Sequence, residues 1–203
     1  MLNYKNENYW KQVLNVNNIT INRDAFFINR FKNKKVLHVG CADGDIFYNN
    51  KEINLHIKLI NNDIDVDGFD IRKDIIDKMK KEYPKNNFYS SLSPIKKKSY
   101  DVVLIPEVIE HIDNIRQFLD KMFSIDSNSF FITVPNCEGL FNNFQKDDKG
   151  NSIEFVHPEH YYWFSSYTLF NLVRNYISDM KNVDMFYLQN KSSVAIEIRK
   201  NDK

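Results

Sequence analysis

The sequence predicts an α/β three-layer sandwich with a largely parallel sheet, and three observations carry that prediction. A short apolar run at Val36, Leu37 and Val39 breaks into a turn bracketed by Gly40 and Gly44, and a helical pattern follows. Strand-like apolar runs and helix-like segments then alternate as far as Val134. Residues 183–188 and 193–198 alternate apolar and polar side chains on either side of Gln189-Asn190-Lys191, as a C-terminal antiparallel hairpin does. The 203 residues suffice for one domain with a full core. We expect a single domain over 1–203, with an N-terminal helical cap over 1–33 and a long loop or lid over 135–164.

Composition excludes several classes. Hydrophobic residues make up 42% and aromatics 14%, too many for a disordered chain. Lys plus Arg number 28 against 27 Asp plus Glu, a balance of +1 that offers no strong basic field to grip nucleic acid. Lys96-Lys97-Lys98 reads as a solvated loop. Cys41 and Cys137 suggest no disulfide framework, so a reducing cytoplasm is the expected home. Met1 to Trp10 is polar and carries no signal-peptide apolar region. No apolar run approaches the ~20 residues that span a bilayer, so no membrane partner is expected.

Taken in order, residues 7–16 place Tyr9, Val13 and Val16 on one helical face, and 23–32 repeat the pattern with Phe26, Phe27 and Phe31. After the strand at 36–39, a helix is expected over 44–57. Residues 65–71 form the second strand, with Asp70 at its end, and a helix follows over 73–82 until Pro84 ends it. Residues 87–91 read as the third strand. Residues 102–105 are continuously apolar, as a central strand buried on both faces requires. Pro106 stops that strand, and a helix is expected from Glu107 to about Phe123. Residues 130–134 form another strand, closed by Pro135-Asn136. The connection 137–163 lacks periodicity but is rich in aromatics, among them Phe141, Phe144, Phe155, Tyr161, Tyr162 and Trp163, and reads as a pocket wall or lid. Ser165 or Ser166 then caps a helix over 167–177.

The residues that carry chemistry cluster at strand ends. A strand that breaks into a glycine loop and then a helix is a nucleotide-type cofactor cradle, because loop N–H groups and a helix N-terminus supply the contacts. Asp70 lies 26 positions past Gly44. An acid at the end of the second strand offers two oxygens to two adjacent ribose hydroxyls, the alternative being an N-cap for the helix that follows. Glu107, Glu110 and His111 fall at i, i+3 and i+4 and share one face of the expected helix.

The stretch Leu37-His38-Val39-Gly40-Cys41-Ala42-Asp43-Gly44 resembles motif I of the class I S-adenosylmethionine (SAM) methyltransferases, usually Leu-Asp-x-Gly-Cys-Gly-x-Gly. His38 stands where that family usually has an acid, and Ala42 where it usually has glycine. Tyr100-Asp101-Val102-Val103 through Glu107-Val108-Ile109-Glu110-His111 resembles a second, more specific family pattern, and Pro135-Asn136 is a third shared feature. The resemblance covers roughly residues 30–200. It implies a Rossmann-like seven-stranded sheet of order 3-2-1-4-5-7-6, with SAM as donor and S-adenosylhomocysteine (SAH) as product. It further implies a cofactor site made by Val39, Gly40, Cys41, Ala42, Gly44, Asp70, Ile71, Ser91, Leu92 and Pro106. Glu107, His111 and His160 are the catalytic candidates it suggests.

The resemblance leads to transfer of a methyl group to an oxygen, in preference to a nitrogen, of a small metabolite or a sugar or glycan precursor. His160, followed by Tyr161-Tyr162-Trp163-Phe164-Ser165, resembles a segment of small-molecule and glycan-precursor methyltransferases. A rival reading follows from the small-RNA 2′-O-methyltransferases, where a Glu-x-x-Glu-His set and a later histidine hold a metal that engages the terminal ribose. Here Glu107, Glu110 and His111 would bind the metal with His157 or His160. The plainer expectation has no metal, with Glu107 near the cofactor, Glu110 solvated and His111 bonded to the loop. A third reading is a non-catalytic subunit of the same fold that binds a partner protein.

Overall fold

A computed structural model describes residues 13–139, 145–153 and 157–200. The chain runs β1 (Val16–Asn18), α1 (Arg23–Phe31), β2 (Lys35–Val39), α2 (Gly44–Asn49), α3 (Leu55–Asn61), β3 (Asp65–Phe69), α4 (Lys73–Glu82), β4 (Phe88–Tyr89) and β5 (Ser99–Pro106). It continues through α5 (Ile115–Phe123), β6 (Asp126–Pro135), a small hairpin of β7 (Gln145–Lys146) and β8 (Ser152–Ile153), α6 (Ser166–Val173), β9 (Val183–Leu188) and β10 (Ser193–Arg199).

One mixed sheet carries the domain, in the order β1-β9-β10-β6-β5-β2-β3-β4. Strands β4, β3, β2, β5 and β6 are parallel, and β10 pairs antiparallel with both β6 and β9. That is the order the resemblance implied, with one strand more. The addition is β1, which runs parallel to β9 on the outer edge, with Val16 opposite Met185. Val16 was expected at the end of a helix. Residues 13–15 of that expected helix have no regular structure, and its part before residue 13 lies outside the described residues.

Side-chain alternation sorts the core onto two faces. Leu37, Val39, Val103 and Ile105 pack with Ile115, Leu119 and Met122 of α5 and with Leu169, Phe170 and Val173 of α6. The intervening Val36, Val102 and Leu104 pack with Phe26, Phe27 and Phe31 of α1 and with Leu59 of α3. The result is the expected three-layer sandwich. Phe27, Phe31 and Phe131 are fully buried and meet edge-on or stacked at centroid separations of 5.6–5.8 Å. Each contributes about 1.5–3 kcal/mol by leaving water. The N-terminal cap is therefore part of the core through α1.

Two expected helices are broken. The stretch 44–57 divides into α2, a 3-10 turn at Lys51–Ile53, and α3, because Asn54 caps a new start by accepting from the Ile57 N–H at 3.2 Å. The helix expected from Glu107 begins only at Ile115. Glu107 takes φ +50°, a 3-10 turn spans Ile109–His111, Ile112 is extended, and Asn114 caps α5 through the Gln117 N–H at 3.1 Å. Glu107, Glu110 and His111 therefore sit on a tight irregular turn.

Candidate active site

The ends of β2, β3 and β5 open into a cavity of about 810 Å³, within the ~300–1,000 Å³ typical of small-ligand sites. Of the expected cofactor residues, Val39, Gly40, Cys41, Ala42, Asp70, Ile71 and Pro106 line it. Ser91 and Leu92 lie outside the lining: Ser91 is exposed, and Leu92 packs against the main core. The Lys96 N–H to Leu92 carbonyl bond at 3.0 Å draws that segment into its own turn instead of toward the ligand side.

The glycine loop is built for close approach. Gly40 takes φ +78°, and a Cβ there would stand 2.4 Å from Cγ2 of Val108. Only glycine meets both demands. The Gly40 and Cys41 N–H groups bond to the Phe69 carbonyl at 2.8 and 3.3 Å, which ties the loop to β3. Asp70 completes the cradle, accepting from the Ala42 N–H at 3.0 Å and the Arg72 N–H at 2.9 Å. A carboxylate has about four lone-pair sites, so two remain for donors from a ligand. Burial raises the Asp70 carboxyl above its usual range, against the pull of those two backbone N–H bonds. Ile71 is 81% exposed at the rim, where an apolar side chain offers a face to a flat ring. These features fit a nucleoside-bearing cofactor.

His38 forms part of the lining next to this loop. Its Nδ1 lies 3.1 Å from Nδ1 of the fully buried His56, and the rings are stacked at 5.2 Å. One ring must donate and the other accept. Burial, then the neighbouring His56, holds His38 well below the usual histidine range, and burial pushes His56 down to about 3. The site thus has a neutral imidazole where the resemblance leads one to expect an acid.

The other half of the cavity is lined by Glu107, Glu110, His111, His157, Glu159 and His160. Ligand atoms of Glu110, His111 and His160 lie within 4.8 Å of one another, a set that could hold a metal ion. Glu110 was expected to be solvated but is 1% exposed, and neither carboxylate oxygen has a hydrogen-bond partner among the described residues. Such a group is costly to bury and calls for a ligand. Burial, then the neighbouring Glu107, drives the Glu110 carboxyl well above the carboxylate range. His160 Nδ1 is likewise buried without a partner. Burial, then His111 and His157, pushes His160 down to about 4. His111 bonds to the Glu159 carbonyl at 3.2 Å, as expected of a loop anchor.

Two members of the expected metal set stand apart from this group. Glu107 turns toward Thr133, whose hydroxyl donates to its Oε1 at 2.7 Å, and toward Arg23 at 3.9 Å. Its left-handed backbone, a strain of order 1–3 kcal/mol, aims it there. His157 is exposed and stacks on His160 at 4.4 Å, so His160 is the one that closes the group. The wall that carries it is pinned. Tyr161 N–H donates to the Glu110 carbonyl at 2.8 Å, Tyr162 Oη to the Asp113 carbonyl at 2.7 Å, and Cys137 N–H to the Phe164 carbonyl at 2.8 Å. Phe141, Phe144 and Phe155 lie outside the described residues. Arg23, which also lines the cavity, was not singled out in the sequence, where its segment reads as a helical cap over the pocket or as core packing.

Residues 9–176 match a family described as a methyltransferase domain. No curated protein sequence matches the chain. Among solved structures, the methyltransferase domain of bacterial CtHen1-CN is 17% identical with a TM-score of 0.60, over 88% of this chain and 97% of that one. The N-terminal domain of EvdMO1, crystallised with SAH and D-fucose, is 14% identical with a TM-score of 0.55, over 88% and 82%. The 16S rRNA methylase ArmA is 15% identical with a TM-score of 0.51, over 87% and 80%. At these identities the likeness is one of fold. Among the described residues, no helix is long and apolar enough to cross a membrane.

Proposed function

Because the chain belongs to the methyltransferase-domain family, we propose that it transfers the methyl group of SAM to a hydroxyl oxygen of a small acceptor seated against Glu110, His111 and His160. The observation that carries this reading is their shared cavity: the Gly40–Asp70 cradle and the unpartnered Glu110–His160 group open into the same space. SAM, when bound, supplies a sulfonium methyl that is already activated for displacement. The protein's part is then alignment and exclusion of water. Asp70 holds the ribose, the Gly40 backbone allows the donor to lie close, and Ile71 covers the ring.

The acceptor side favours a compact, uncharged molecule over a polyanion. Glu107 and Glu159 face this part of the cavity, and an ionised carboxylate there repels a phosphate. An RNA end is the weaker candidate for that reason.

A second reading adds a divalent cation. Glu110, His111 and His160 supply oxygen and nitrogen ligands of the kind such ions take. A histidine held down to about 4 is a poor proton acceptor at neutral pH but a ready neutral ligand. A cation at this point would polarise the acceptor hydroxyl. The test is methyl transfer from isotopically labelled SAM to a panel of diols, sugars and amines, in chelator and then with Mg²⁺ or Mn²⁺. Labelled ether products support the proposal, and metal-dependent yield supports the second reading. Label appearing only on amine acceptors would contradict the oxygen assignment.

A further inference from the structure

A second cavity lies beside the wall that carries His160. It has a volume of about 740 Å³ and sits where the start of α5 meets α6, with Asp113, Arg116, Tyr162, Trp163, Thr168 and Asn171 in its lining. Among the described residues the two cavities share no lining residue, yet they abut at two points of the chain. Ile112 lines the first and Asp113 the second; His160 lines the first and Tyr162 the second. Trp163 links them, its ring edge-on to the His160 ring at 6.1 Å. The bonds from the Tyr161 N–H to the Glu110 carbonyl and from Tyr162 Oη to the Asp113 carbonyl hold this partition in place.

The lining is of two kinds. Tyr162, 39% exposed, and the half-buried Trp163 supply aromatic faces. Asp113, Arg116, Thr168 and Asn171 are exposed and polar. Asp113 Oδ1 accepts from the Asn114 N–H at 2.6 Å, while Asp113 Oδ2 and the Asn171 amide have no partner among the described residues. The face of an aromatic ring is negative and attracts the C–H groups on the face of a saturated ring. Carboxylate, amide and guanidinium groups accept from and donate to adjacent hydroxyls. A fatty chain would cover these polar groups without pairing them, and a polyanion would meet Asp113 as well as Arg116. Aromatic faces ringed by planar polar groups of both signs fit a neutral sugar ring. Resting on the acceptor reading above and deepening it, we propose that this cavity is a sugar subsite: the acceptor is a glycan of two or more rings, and a ring adjoining the one that reacts lies over Tyr162 and Trp163 with its hydroxyls on Asp113 and Asn171.

The test is calorimetric titration of D-glucose with maltotriose and cellotriose, and of N-acetylglucosamine with chitotriose, alongside SAH. At least one trisaccharide should bind wild type about 10-fold or more tightly than its monosaccharide. Trp163→Ala should weaken that trisaccharide about 10-fold or more, with SAH and monosaccharide affinities within about twofold of wild type. Trp163→Phe, which keeps an aromatic face, should fall between the two. Asn171→Ala, at an exposed position of α6, should weaken the trisaccharide about 2- to 10-fold; if Trp163→Ala loses SAH binding as well, this variant decides alone. Wild type that binds SAH but shows no preference for any trisaccharide would overturn the sugar subsite and leave the methyl-donor reading standing. Trisaccharide affinity unchanged in Asn171→Ala and Trp163→Ala would also overturn it, as would Trp163-dependent binding of a single-stranded RNA oligonucleotide with no binding of any sugar. Wild type that binds a trisaccharide in this Trp163-dependent way but not SAH would keep the sugar site and overturn the methyl-donor reading instead.

Discussion

The two halves of the cavity are built in opposite ways. On the donor side, backbone does the work: Gly40 and Cys41 are tied to Phe69, and Asp70 is held by two N–H groups before any ligand arrives. On the acceptor side, side chains are gathered and left unsatisfied, with both Glu110 oxygens and His160 Nδ1 buried without partners. A satisfied cradle is pre-organised and stable by itself, whereas an unsatisfied cluster is unstable until a ligand completes it. Donor binding should therefore tolerate few changes, and acceptor-side changes should cost function more than stability.

Asp70→Ala should break the comparison most strongly. It removes the acceptor of two backbone N–H bonds and, on the proposed reading, of the ribose hydroxyls, and SAH affinity by calorimetry should fall about 100-fold or more. Wild-type affinity should also fall as pH is lowered, because the proposed ribose contact needs the carboxylate. Since burial raises this carboxyl, the loss begins at a higher pH than for an ordinary aspartate. Affinity that is flat through the acid range would contradict the ribose role.

Gly40→Ala comes next. The added Cβ meets Val108 at 2.4 Å in a left-handed backbone. Together these should lower stability by about 2–4 kcal/mol, read from urea unfolding. Val108→Ala in the same chain should relieve the contact but not the backbone strain, recovering only part of the loss.

Glu110→Gln is the acceptor-side counterpart, with a smaller and opposite expected effect on stability. The folded Glu110 carboxyl is raised, so over the pH range between its ordinary and its raised value the folded state holds a proton that the unfolded state has released. That contribution is full below the ordinary carboxylate pKa and is lost as pH rises. Between about pH 5 and about pH 8, wild type should lose more stability than Glu110→Gln by roughly 1 kcal/mol or more. The variant should keep its SAH affinity and lose methyl transfer. An Mn²⁺-dependent rise in unfolding temperature present in wild type and absent in the variant would sharpen the case for a cation; a shift of equal size in both would remove Glu110 from the ligand set.

How much was legible in the sequence follows the same division. The strand runs at 36–39 and 102–105, Gly40 and Asp70 were readable because backbone-built sites need particular residues at particular spacings. The acceptor side was only half readable. The Glu107, Glu110 and His111 letters were visible, but an even helix spacing could not foretell the left-handed Glu107 that turns its side chain to Thr133 and Arg23. The choice of His160 over His157 depends on how residues 157–164 are pinned to Glu110 and Asp113, a contact between distant segments with no local signature. β1 was missed because three residues on a sheet edge carry no periodicity, and Arg23 because a single arginine at a helix start has no local signature of the cavity it lines.

The account turns most directly on calorimetric titration of SAH into chelator-treated protein. The proposed function leads us to expect one SAH per chain, bound without metal, because the Gly40–Asp70 loop is already tied by backbone hydrogen bonds. A cooperatively folded protein that gives no binding heat for SAH at several temperatures would contradict the methyl-donor site and leave partner binding as the reading to pursue.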